Sequence, residues 1–300
     1  MKALICPPIL PMRPPLQIEK LEAVFSAMGS AVKGPGRIYV TGGATALLYG
    51  WRSMTVDVDL KADPEPAGFF EAIAVLKDQL AVNIELACLF EFIPELPGWQ
   101  DRSLFIARHG LIDFYHYDPY SQALSKLERG HARDLADVEN MLRAGLIGKE
   151  PLFQHFRKIE PQLIRYPALG PESFRQFMVA FCNPPPAQAP NFFSLMHPNE
   201  ADLLDDLPGA KQVRQGLVDF QQGRTSIFAC LVHMASPRLI RAGLMEASPR
   251  RDTTAEIELY QLLSESEGRR AFSAYNALVR EVISFQHALD HRLSRQQRPA

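Results

Sequence analysis

Two carboxylates one residue apart, Asp57 and Asp59, stand in the run Thr55-Val56-Asp57-Val58-Asp59-Leu60. Alternate side chains of an extended chain share a face, so both acids project one way while Val56, Val58 and Leu60 turn into a core. Carboxylates forced side by side repel each other unless a cation lies between them. Hard oxygen donors at this spacing suit Mg²⁺, which is held through one or two carboxylates together with substrate phosphates. Thirteen residues separate the acidic pair from Gly42-Gly43, which closes the run Tyr39-Val40-Thr41. Glycines allow close approach of backbone to a ligand, and a helix beginning there aims free N–H groups at an anion. A divalent-metal pair beside a phosphate cradle is the apparatus of phosphoryl or nucleotidyl transfer.

The order hydrophobic-Gly-Gly, thirteen residues, Asp-hydrophobic-Asp-hydrophobic resembles the DNA polymerase beta-like nucleotidyltransferase superfamily. Lys126-Leu127-Glu128-Arg129 with Arg133-Asp134-Leu135-Ala136-Asp137 is similar to the helix that follows the core in toxins of the abortive-infection (AbiEii) type. Residues 37–181 as a whole resemble an uncharacterised bacterial family of such proteins. That closer likeness rests on Asn83-Ile84-Glu85-Leu86, on the block from Phe92 to Trp99 and on Tyr115-His116-Tyr117-Asp118-Pro119-Tyr120.

The resemblance implies attack of an acceptor hydroxyl on the alpha phosphate of a nucleoside triphosphate, with pyrophosphate leaving. Asp57 and Asp59 would hold two Mg²⁺ ions. Asp113, a lone acid amid Leu111, Ile112, Phe114 and Tyr115, would be the third carboxylate, sharing the metal and deprotonating the hydroxyl. Gly42, Gly43 and Thr45 would cradle the beta and gamma phosphates. Arg52 would pair with phosphate bidentately, and Lys126 would add a point charge on the triphosphate. The toxin relatives also use the positions of Lys126 and Asp134 near the nucleotide. Gly43 stands where the classical motif has a serine, so one phosphate-binding hydroxyl is missing.

Blander readings accompany several of these positions. Thr45 and Arg52 also fit a helix cap and a surface salt bridge, and Arg129 and Arg133 also fit a solvated helix face. Glu85, between Ile84 and Leu86, reads as a solvated strand residue ahead of a cleft residue. His116 and His131 read as local hydrogen-bonding groups, since no His/Cys spacing suits zinc. Trp99, Tyr115, Tyr117 and Tyr120 read as packing residues ahead of base-stacking ones. No Gly-x-x-x-x-Gly-Lys-[Ser/Thr] run occurs, which disfavours a P-loop enzyme.

Elements follow from periodicity and punctuation. A helix is expected over 16–32, stopped by Gly34-Pro35-Gly36, then a strand into Gly42-Gly43, a helix over 44–49 and the acidic strand. A helix over 69–80, a strand over 82–86 and a hairpin turning at His109-Gly110 come next. The stretch 121–146 reads as one helix, with Gly130 a possible break, and 151–181 as two or three short helices. Helices over 220–234 and 257–263 and a long final one complete the chain.

The fold expected is an α/β (α+β) nucleotidyltransferase core, a mixed sheet flanked by helices, followed by an all-helical C-terminal domain. Its parts are an irregular arm over 1–16, the nucleotidyltransferase domain over 17–182, a proline-rich linker over 183–190 and the helical domain over 191–300. Three hundred residues with a net charge of −2 give no chain-wide attraction to nucleic acid or to an anionic membrane. Cys6, Cys88, Cys182 and Cys230 are scattered as in a reduced, cytoplasmic protein. The expected partners are a nucleoside triphosphate and a tRNA-like or other RNA acceptor, with a protein acceptor behind. A second copy or an antitoxin joins them, in a toxin–antitoxin or phage-defence setting implied by resemblance. The rival reading is a catalytically suppressed binding module whose helical domain docks a partner.

Overall fold

The computed structural model describes residues 13–86, 93–166, 170–182, 203–246 and 255–296. The expected linker over 183–190, most of the N-terminal arm, Cys6 and Cys88 lie outside the described residues.

Among the described residues five strands form one mixed sheet: β1 (Gly36–Thr41), β2 (Val58–Ala62), β3 (Ile84–Leu86), β4 (Leu104–His109) and β5 (Ile112–His116), in the order β3-β2-β1-β5-β4. β1 runs antiparallel to β2 and parallel to β5, while β3 runs parallel to β2. Strand alternation sends Ile38, Val40, Val58, Leu60, Ile112 and Phe114 to one face. There they meet α1 (Ile18–Ala31), α2 (Gly42–Leu48) and α3 (Phe69–Gln79). α1 contributes Leu21, Val24, Phe25 and Met28 at helical spacing, with Phe25 stacked on Phe114 at 4.4 Å between ring centroids. The same alternation leaves Tyr39, Thr41, Asp59 and Lys61 on the opposite face.

That second face is bordered by α4 (Trp99–Arg102), α5 (Pro119–Arg129) and α6 (Ala132–Arg143). Asp118 caps α5, accepting from the Tyr120 N–H at 3.1 Å and the Ser121 hydroxyl at 2.7 Å. The single helix expected over 121–146 is two, because Gly130 adopts φ of 63°, a left-handed turn that ends α5. α6 folds back, and Leu124, Leu127, Val138 and Met141 share a core with α7 (Lys149–Ile159) and α8 (Pro171–Cys182). A 3₁₀ turn, Glu160–Arg165, joins α7 to α8 across residues 166–170.

Among the described residues there follow α9 (Ala210–Gln221), α10 (Ile227–Arg241), α11 (Ala255–Glu267) and α12 (Ala271–Gln296). The helix expected over 220–234 is divided at residues 222–226. There Asp219 accepts hydrogen bonds from Arg224, Ser226 and Gln215, closing the turn. Val232, Leu239, Tyr260, Phe285 and Leu289 anchor a separate core. Val56 belongs to this core and not to that of the sheet, a departure from simple alternation that ties the acidic strand to the helical unit. Further ties are Arg133 to Glu256 at 2.9 Å, His287 to Glu128 at 2.6 Å, and Arg238 donating to the carbonyls of Glu128 and Arg129.

Gly130 directs α6 back along α5. Forcing a Cβ into its left-handed conformation costs about 1–2 kcal/mol. Gly130→Ala is therefore expected to lower unfolding stability by that amount in urea titration, whereas Gly145→Ala, also left-handed but beyond α6, leaves the α5–α6 docking intact.

Candidate active site

β2 and β3 pair with Asp59 opposite Glu85, placing the two side chains abreast on the free face of the sheet. Asp57, just before β2, joins them, and one carboxylate oxygen of each acid lies within 4.8 Å of the other two. Among the described residues neither Asp57 nor Asp59 accepts a side-chain hydrogen bond or forms an ion pair. Burial, with Asp59 and Glu85 beside it, raises the pKa of Asp57 well above the usual carboxylate range. Burial first and the Glu85 charge second raise Asp59 to about 6, against the pull of Arg129, Lys126 and Arg52. Three oxygen donors short of a counter-charge form a donor set that fits a hard divalent cation.

Gly42 begins α2 at φ of 65°, and a Cβ there would stand 2.3 Å from the Asp59 carboxylate. A Cβ on Gly43 would stand 2.1 Å from the Thr55 hydroxyl. Only glycines let this turn run against the acids. The turn and the trio open into one cleft of about 670 Å³, whose other walls come from α5, α6 and α12.

The α5–α6 wall is a buried network of ions. Lys126 donates to Asp134 at 3.2 Å and to Asp137 at 2.6 Å. Arg129 pairs with Asp134 at 2.8 Å, and Arg52 grips both oxygens of Asp137. Burial disfavours the charged form of Asp134, yet Arg129 and Lys126 hold its pKa below the usual range. Arg133 pairs with Glu256 and Glu128 with His287 on the same wall, and Arg129, Lys126 and Arg52 lie close enough to the trio to pull on the Asp59 charge. The helix reversal at Gly130 produces this meeting by bringing residues 134 and 137 back to Lys126.

Several expected site residues stand elsewhere. Asp113 is not part of the trio: its β1 partner is Arg37, whereas that of Asp59 is Thr41. Four residues of strand place the two acids about 13 Å apart along the sheet, although they share a face. Arg108 binds Asp113 through both oxygens, at 2.5 and 2.7 Å, and lowers its pKa. Glu85, expected on a solvated strand face, lines the cleft instead and stands with Asp57 and Asp59 where Asp113 was expected. Thr45 is buried, its hydroxyl donating to the Val40 carbonyl at 3.0 Å, and it does not line the cleft. Arg52 lines the cleft, but its bidentate partner is Asp137. Gly42, Gly43, Lys126 and Asp134 all line it as well.

His116 faces the other side of the sheet and stacks on Tyr49, and burial holds its pKa down at about 4. Buried His131 lines the cleft with Nδ1 3.8 Å from Asp134. Trp99 and Tyr117 are buried with Tyr39 in a packing cluster. Residues from α11 and α12, among them Glu256, Tyr275 and Asn276, also form walls of the cleft. Nothing local in the sequence marks Glu256 or Asn276, whose partners Arg133 and Glu85 lie more than a hundred residues away.

A carboxylate whose folded-state pKa is raised adds stability below its unfolded value, lost as pH rises through the folded one. For Asp59 that window runs from 3.8 to about 6. In chelator, Asp59→Asn is expected to exceed the wild type in Tm by about 2–4 °C at pH 7, the effect of roughly 1 kcal/mol at this size. The advantage should vanish near pH 4. Millimolar Mn²⁺ should raise the wild-type Tm at pH 7 and leave the variant unmoved, as read by differential scanning fluorimetry.

Comparison with known proteins agrees with this geometry. No curated protein and no solved structure matches the chain. A family described as "Nucleotidyltransferase of unknown function (DUF6036)" matches residues 19–177, more than half of the chain, from α1 into α8. The matched span holds the glycine turn, all three acids and the α5–α6 cations. The chain belongs to this nucleotidyltransferase family.

Proposed function

We propose that the protein transfers a nucleoside monophosphate from a nucleoside triphosphate to an acceptor hydroxyl, with Mg²⁺ held by Asp57, Asp59 and Glu85. The observation that carries this reading is the convergence of three carboxylates against a glycine turn, opposite a wall that brings Arg52, Lys126 and Arg129 to the cleft. Bound there, the metal would neutralise the trio and polarise the alpha phosphate. Arg52, Lys126 and Arg129 supply charge for the triphosphate, with Asp134 and Asp137 holding them in place. The Gly42-Gly43 turn lets backbone lie against the phosphates. The acceptor oxygen forms a new bond to the alpha phosphorus as the bond to the departing pyrophosphate breaks. Glu85 takes the hydroxyl proton, the part first expected of Asp113.

RNA, tRNA-like ends included, ranks ahead of a protein side chain as acceptor. A toxin–antitoxin or phage-defence setting, with an antitoxin or a second copy as protein partner, rests on the likeness to abortive-infection toxins. A suppressed binding module fits less well, since the cleft reaches all three acids and the glycine turn. Among the described residues no helix is long and apolar enough to cross a membrane.

Each alpha-labelled nucleoside triphosphate, incubated with purified protein, Mg²⁺ and separated cellular RNA and protein fractions, is expected to label the RNA. Asp57→Ala and Glu85→Gln should each lower transfer at least about 100-fold, the range for removing a metal ligand or a general base. Asp113→Asn should stay within about threefold of the wild type. Equal loss at residues 85 and 113, or labelling indifferent to Asp57, would refute the assignment.

A further inference from the structure

Resting on the metal-site reading above, we infer that the helical unit beyond the family match is a working part of the carboxylate centre, with Asn276 of α12 the positioning residue for Glu85. The Asn276 side-chain amide donates to Glu85 Oε1 at 2.8 Å. β3 needs such a support. It is three residues long and stands at the edge of the sheet, and among the described residues its backbone pairs with β2 alone. Asp57 is fixed beside Val56, which is buried in the helical core, and Asp59 lies within the paired strand β2. Among the described residues Glu85 is paired on one side only, with Asp59 of β2.

The helical unit grips this strand at two points. Two residues before Glu85, the Asn83 amide donates to the Tyr260 hydroxyl of α11 at 3.2 Å and to the Val56 carbonyl at 3.0 Å. Tyr260 packs edge-to-face on Tyr275, the neighbour of Asn276, at 5.8 Å between centroids. Buried Tyr275 fixes the rotation of α12 that points the next side chain at Glu85. One tyrosine contact therefore links the start of β3 to the residue that orients its acid.

The chemistry of the donor matters as much as its place. A lysine or arginine here would neutralise Glu85 and compete with a cation. The carboxamide is neutral, binds one carboxylate oxygen and leaves the other for the metal or for a proton. α12 continues along the cleft with Arg280 and Ser284 at four-residue intervals from Asn276, so the unit forms a wall of the cleft. The matched family span ends at residue 177, before any of these residues.

Mn²⁺ affinity, measured by electron paramagnetic resonance on the full-length chain, tests the assignment without reference to turnover. Asn276→Leu removes the donor at similar volume, and Asn276→Ser leaves a group too short to reach. Each is expected to weaken Mn²⁺ about tenfold, the usual consequence of losing a partner of a metal ligand. Metal-free circular dichroism and unfolding midpoints should stay close to wild type. In the Glu85→Gln background the further loss from either substitution should fall below about twofold, because Asn276 acts through that acid. Wild-type affinity in both variants, or an undiminished loss in the Glu85→Gln background, overturns the inference. A wild-type chain that binds no Mn²⁺ removes the metal-site reading itself.

Discussion

Repulsion among Asp57, Asp59 and Glu85 is the constraint from which the rest of the architecture follows. Three carboxylates within 4.8 Å of one another, each partly withdrawn from water, oppose folding unless other contacts hold them there. The hold comes from apolar contacts on both sides of the acidic strand. Val58 and Leu60 are sunk in the sheet core, and Val56 in the helical one. The strain of gathered charge is thus carried by residues that bear none, and the acids remain available to a cation.

How much of this is legible in the chain follows from the range over which each feature is determined. Asp57 and Asp59 share a side because strand periodicity is local, and Gly42-Gly43 marks a tight turn for equally local reasons. Asp113 shows the limit: alternation assigns it the correct face but says nothing of its height along the sheet. Height is set by the pairing of β5 with β1, which puts Asp113 beside Arg37 and within reach of Arg108. Glu85 is the converse case, unremarkable between Ile84 and Leu86 until β3 is registered against β2.

The ion network depends on a similarly non-local event. On one uninterrupted helix Lys126 and Asp137 are three turns apart; with the chain reversed at Gly130 they are 2.6 Å apart. A single left-handed residue converts an ordinary amphipathic stretch into a charged wall. Asn276 lies farther still from sequence inspection, since its partner is 191 residues away, on an edge strand of the sheet. Helix, strand and turn were readable, while the third acid and its support emerge only when distant elements dock.

Arg52, Lys126 and Arg129 reach the cleft already paired, with Asp134 and Asp137 as their resident anions. A polyanion entering the cleft would therefore compete with carboxylates fixed in the protein, and would release few dissolved counter-ions. Exposed basic surfaces lose affinity steeply in salt because ions are liberated there. A recess whose anions are built in is insulated from that penalty, and its occupancy would vary only gently with the ionic strength around it.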